Sequence, residues 1–203
     1  MTLCDLASIY EKQLLCNYYF IFSDTHRRIY TLGANKHNFL HLTGIQRCQE
    51  FKNVKAKDFF GKCKLSDQDI NSLSFNSKQD RKLVQLKTEA FYNCYAAIHN
   101  FKSIYISENS IICAVPFTYD NKEKIFSISF ICEDNSIWVP VSIKVDKDLA
   151  SSKEMDSKNL AQISRVAEIK KEVALAAMKK YDKGIMDVQE FISKKYSPIY
   201  KFD

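Results

Sequence analysis

Glycine and proline are scarce in this chain, at four and three of 203 residues. With so few glycines a phosphate-cradling loop is hard to build, and Gly-x-x-x-x-Gly-Lys, Gly-x-Gly-x-x-Gly and Gly-x-Ser-x-Gly are all absent. Nucleotide-dependent and nucleophile-elbow chemistries are thereby set aside, and Asn, Asp and Ser must carry the turns. No apolar run approaches the roughly 20 residues that a membrane-crossing helix requires. The opening Met1-Thr2-Leu3-Cys4-Asp5 lacks the basic stretch and apolar core of a secretory signal, so a cytoplasmic protein away from membranes is expected. The seven cysteines (4, 16, 48, 63, 94, 113 and 132) are odd in number and never spaced Cys-x-x-Cys. They read as reduced thiols acting as small core hydrophobes, with no disulfide framework or zinc site.

Hydrophobic content of 46% is enough for a sizeable core, and the length suits one domain, alone or with an appendage. The formal charge is +6 overall, yet the segment from Thr25 to Lys64 alone carries +7: nine Lys and Arg residues against Glu50 and Asp58. Positive charge is concentrated there, and the expected partner is a polyanion, RNA first.

Residues 2–16 predict a helix with Leu3, Leu6, Tyr10 and Leu14 along one side and Thr2 as N-cap. Residues 17–23 and 27–32 predict a hairpin about Asp24-Thr25-His26. A short helix over 34–43 should end on Gly44, a basic helix should cover 54–64, and a long one should cover 82–101. Strands are expected at 103–107, 111–119, 124–132 and 137–145. Pairing Phe130 with Val139, Ile128 with Val141 and Phe126 with Ile143 gives one apolar face. The other face then carries Thr118, Ser127, Ser129, Trp138, Pro140, Ser142 and Lys144, with Ser127 opposite Ser142. It is either a binding face or merely a solvated one. Residues 156–181 set Leu160, Ile163, Val166, Ile169, Val173 and Ala177 at helical spacing, and 187–196 continues that pattern. The expected fold is α+β: N-terminal helices and a hairpin, then a four-stranded antiparallel sheet, with a C-terminal helical appendage. The main domain spans 1–145; the appendage, 146–203, packs on it or on a second chain as a homodimer contact.

The chemistry centres on Asn38-Phe39-Leu40-His41-Leu42-Thr43-Gly44-Ile45. An imidazole titrates near neutrality, so His41 is a candidate acid or base. A buried, satisfied histidine is the competing reading. His37 and His41 share a helix face, but no third ligand at metal spacing accompanies them, so no metal and no cofactor are expected. RNA carries its own nucleophile in the 2′-hydroxyl. A protein that cleaves it needs a proton-transfer group, a cation and a hydroxyl donor. Thr43 offers a hydroxyl near His41, and Trp138 a surface for a splayed base.

The aromatic hairpin, the His41 segment, the basic Phe59-Phe60 helix, the long helix and Trp138-Val139-Pro140-Val141-Ser142 together resemble the fourth subgroup of the phage-type barnase–EndoU–colicin–RelE-like nucleases. The resemblance spans about residues 1–145. It implies a metal-independent endoribonuclease leaving a 2′,3′-cyclic phosphate, in a toxin, mobile-element or phage-conflict setting. A cognate inhibitor protein is a possible partner, and tRNA or mRNA the substrate. It assigns His41 the acid/base role and Ser142 a phosphate-contacting hydroxyl. Lys36, Arg47 and Lys144 are candidates for the basic contribution by charge and predicted facing, with Thr43, Trp138, Ser127 and Thr118 around them. A non-catalytic interaction protein on the same scaffold is the alternative.

Overall fold

The computed structural model describes residues 1–101, 103–107, 109–119, 122–133, 137–146, 159–181 and 201–202. Helix α1 (Leu3–Tyr10) begins in a capping box: the Asp5 amide donates to the Thr2 hydroxyl at 3.1 Å and the Thr2 amide to the Asp5 carboxylate at 2.8 Å. A π-helical turn, Glu11–Leu15, leads into β1 (Asn17–Ser23), which pairs antiparallel with β2 (Arg28–Leu32). Then come α2 (Asn38–Thr43), α3 (Ala56–Lys64), α4 (Lys78–Tyr92) and α5 (Cys94–Asn100). The expected single helix over 82–101 is interrupted because Asn93 leaves helical geometry (φ −88°, ψ 1°). Strands β3 (Ser103–Ile106), β4 (Ser110–Tyr119), β5 (Lys122–Glu133) and β6 (Ile137–Asp146) form the expected antiparallel meander.

The predicted fold class is corrected beyond that meander. The sheet closes into a seven-stranded mixed barrel, β1-β7-β3-β4-β5-β6-β2 and back to β1, in place of a four-stranded antiparallel sheet. Closure has two sources. Strand β2 lies parallel to β6, with Thr31 opposite Ile137 and Leu32 opposite Trp138. Strand β7 (Leu160–Lys170), from the segment expected to be helical, inserts antiparallel between β1 and β3. Only Lys171–Tyr181 is helix, here α6, and β8 (Lys201–Phe202) adds to β2. The expected helix over 187–196 lies outside the described residues.

The false helical signal in β7 has a physical origin. A register shift opposite Phe22 and Ser23 breaks its alternation, and apolar residues are needed on both faces. Ile163 and Val166 pack towards the core shared with α1–α5, while Ala167 and Ile169 pack with Phe20, Phe22 and Ala174 of α6. Two covered faces plus a bulge produce a spacing of three. Ile, Val and Ile at those positions favour the strand.

The main core is one cluster in which Phe126, Ile128, Phe130 and Ile143 of the sheet meet Leu6, Tyr10, Phe39, Phe59 and Phe91 of the helices. This defines the helix-facing side of β4–β6. The observed register pairs Ser127 with Lys144 and Ser129 with Ser142, then skips Val141 to pair Phe130 with Pro140. That bulge reverses the alternation along β6. Ser127, Ser129, Ser142 and Lys144 do share a face, opposite the helices, but Trp138 is turned to the helix-facing side.

Candidate functional site

Helix α2 is short, and its position is fixed from outside. Its entry loop follows Gly33, whose amide donates to the Trp138 carbonyl at 2.9 Å. A β-carbon at Gly33 would come within 3.0 Å of the Ile137 side chain and 3.3 Å of the Tyr18 ring, so a larger residue would have to push these two side chains aside. Tyr10 Oη donates to the Asn35 carbonyl at 2.6 Å, and Lys171 Nζ to the Ala34 carbonyl at 2.8 Å. Asn35 Nδ2 donates to Glu133 Oε2 at 3.0 Å, and the same carboxylate lies 3.7 Å from His37 Nε2. Phe39, Leu40 and Leu42 bury the inner face of α2, and the helix packs against β6. Gly44 ends it in the left-handed conformation (φ 72°).

His41 projects from this anchored helix into solvent. Three of the four histidines have partners: His26 with the Tyr30 hydroxyl at 3.1 Å, His37 with Glu133, and His99 with Glu168 at 3.1 Å. Among the described residues His41 has none. It is neither buried nor satisfied, contrary to the structural reading of that residue.

Cations gather around the same helix. Lys36, exposed just before it, lies 5.8 Å from the Phe60 ring centroid. Arg47, in the 3₁₀ turn Ile45–Arg47 that follows Gly44, pairs with Asp80 at 2.7 Å. The Ser77 hydroxyl and then Arg47 hold the Asp80 carboxyl below its ordinary value. Lys87 of α4 lays its aliphatic stem over Gly44, where a β-carbon would sit 3.0 Å from Lys87 Cδ. Burial, and secondarily the Arg47 charge, push the Lys87 ammonium down from its ordinary value.

The other expected residues fall elsewhere. Thr43 is fully buried, and its hydroxyl is engaged with the Phe39 and Leu40 carbonyls, both at 3.1 Å, which gives it a place in the helix and no reach to a substrate. Trp138 is 5% exposed and packs edge-on against Tyr30, so a base has no ring face to stack on. Ser127, Ser142 and Lys144 occupy the sheet face away from α2, with Ser127 opposite Lys144 and not opposite Ser142. The Thr118 side chain lies outside the described residues. His41, Lys36 and Arg47 are thus grouped about α2, while the hydroxyls and Lys144 are not brought to them.

Two charged residues at the ends of α2, Lys87 beside Gly44 and Glu133 beside His37, have no role in the sequence reading. A lysine on a helix normally reads as solvated, and the sequence signal that sets Lys87 apart is its three- and four-residue spacing from Val84 and Phe91, both fully buried. Glu133 gave none, since it meets His37 only through the closed topology. A third cluster lies elsewhere: Glu168 Oε2 accepts from Tyr95 Oη at 2.9 Å and meets His99 Nε2, and Lys170 lies 3.8 Å from the other oxygen. Among the described residues, no group of three or more His, Cys, Asp or Glu is arranged to hold a metal, and no helix is long and apolar enough to cross a membrane.

No curated protein and no solved structure matches the chain significantly. A family comparison does match, over residues 2–193, well beyond residue 145 and through β7 and α6. The match spans nearly the whole chain, and the chain belongs to the phage-Barnase-EndoU-ColicinE5/D-RelE like nuclease4 family.

Proposed function

We propose that the protein is an endoribonuclease, acting on tRNA or mRNA, that uses the RNA's own 2′-hydroxyl as nucleophile and His41 as a proton-transfer group. The observation that carries this reading is the state of the four histidines: among the described residues, His41 alone has no partner, on a helix whose entry, inner face and exit are all fixed. A proton-transfer group must be free at one nitrogen and held by its backbone, because each ångström of misplacement is costly in rate.

In the proposed reaction the 2′-hydroxyl loses its proton and its oxygen bonds to the adjacent phosphorus. The bond from phosphorus to the 5′-oxygen breaks, and that oxygen takes up a proton. The products are a 2′,3′-cyclic phosphate and a free 5′-hydroxyl. His41 supplies one of the two proton transfers and water the other, so the proton taken from the 2′-hydroxyl is balanced by the one given to the 5′-oxygen. Arg47 and Lys36 supply positive charge as negative charge builds on the phosphorane oxygens. Ser142, Ser127, Lys144 and Trp138 are left out, on the grounds of facing and burial.

The test is incubation of the purified protein with total RNA, tRNA and a defined oligonucleotide in EDTA. Cleavage should leave a 2′,3′-cyclic end, and a single 2′-deoxynucleotide at the cut position should block it. Intact RNA throughout, or cleavage indifferent to the 2′-deoxy substitution, would contradict the proposal.

A further inference from the structure

We propose that Lys87, with Arg47 beside it, seats an RNA phosphate at the C-terminal end of the helix that carries His41. This rests on the ribonuclease reading above and adds to it the residue that fixes the phosphate.

Lys87 is an anomaly among the cations of this chain. It sits on the face of α4 that carries Val84 and Phe91, both fully buried, and its stem crosses Gly44. Other drawn-in lysines have compensation: Lys64 pairs with Glu11 at 2.6 Å, and Lys171 donates to the Ala34 carbonyl at 2.8 Å. Among the described residues Lys87 has neither a hydrogen bond nor an ion pair. The charge that acts on it is that of another cation, Arg47, which Asp80 pairs at 2.7 Å. A partly buried ammonium beside a like charge is costly to keep, and burial already opposes its charged form. An anion bound between the two cations would relieve both penalties.

The position fits a phosphodiester. Gly44 has no side chain, so the Lys87 stem packs directly on the backbone at the turn that ends the His41 helix. Gly44 follows His41 by three residues, and positions so spaced on a helix are about 5–6 Å apart. A phosphate held by Lys87 is then seated beside the turn that directly follows the His41 helix, and proton transfer requires its ester oxygens to reach the imidazole from there. Arg47 is already oriented by Asp80, so its guanidinium is presented without further ordering.

The experiment compares wild type, Lys87→Met and Lys87→Arg for binding to a fully 2′-O-methylated RNA oligonucleotide, which cannot be cleaved, by fluorescence anisotropy over a salt series. Lys87→Met should bind about tenfold more weakly, and its slope of log affinity against log salt should shrink by about 0.7, the contribution of one phosphate contact in a single strand. Lys87→Arg should recover most of the affinity. Thermal melting is the second readout. Lys87→Met should melt at or above the wild-type temperature, because an uncompensated cation has been removed. Unchanged affinity and slope, or a melting temperature several degrees lower, would overturn the assignment. If wild type neither binds the oligonucleotide nor cleaves unmodified RNA, the ribonuclease reading fails. The anion seat is then decided by inorganic phosphate, which should raise the melting temperature of wild type and not of Lys87→Met.

Discussion

The surroundings of His41 and of His99 are built in opposite ways. His99 of α5 donates into a carboxylate, Glu168, that also receives the Tyr95 hydroxyl, and its ring lies tilted against Tyr95 with centroids 4.6 Å apart. Tyr19, paired across the sheet with Glu168, closes the group edge-on at 5.7 Å. That cluster fastens α5 to β7, the strand that completes the barrel. Around His41 the backbone is fastened and the functional groups are not: the imidazole and the Lys87 ammonium have no partners among the described residues. The contrast teaches where to look. A polar group whose bonding is complete contributes to the fold, whereas an unsatisfied one held on a rigid element is available to a ligand.

The sharpest way to break this contrast is to loosen what holds α2. Phe39 is fully buried and contacts the rings of Tyr10, Phe59, Phe60 and Phe91. Phe39→Ala should cost about 3–5 kcal/mol in chemical denaturation. Trp138→Ala should lose stability of the same order, consistent with a core residue; loss of RNA affinity at full stability would return it to the surface role expected from the sequence. Gly44→Ala places a side chain in the left-handed region and against Lys87, and should cost about 1–2 kcal/mol. On the opposite side, Glu168→Gln should cost about 1 kcal/mol or less, because the cluster is partly open to solvent.

The smallest effects are in pH dependence, and the two regions differ in sign. Asp80 is held below its ordinary value of 3.8 by Ser77 and Arg47, so its contribution is present above that pH and lost as pH falls through the lowered value. Asp80→Asn should flatten the acid limb of the stability curve. Tyr95 is held above its ordinary value of 10.0, chiefly by its bond to Glu168. Its contribution is complete below that pH and lost as pH rises through the raised value; Tyr95→Phe should flatten the alkaline limb.

What the sequence made legible was local. The capping box at Thr2, the α2 helix ending on Gly44 and the β4–β6 meander each depend on residues within a few positions of one another. Closure was hidden because it depends on distant pairings: two residue pairs between β2 and β6, and the insertion of β7. The site was half legible for the same reason. His41, Lys36 and Arg47 lie in one segment, but a single skipped residue, Val141, reversed the facing of Trp138, and Lys87 lies on a helix 46 positions beyond His41.

The most direct test sets His41→Ala against His99→Ala on one RNA substrate, after both variants are shown to be folded by circular dichroism. Loss of a proton-transfer group should slow cleavage about 10²–10⁴-fold in His41→Ala, while His99→Ala should stay within a few-fold of wild type. The reverse order, with His99→Ala inactive and His41→Ala still cutting, would place the chemistry at the α5–β7 cluster and contradict this account.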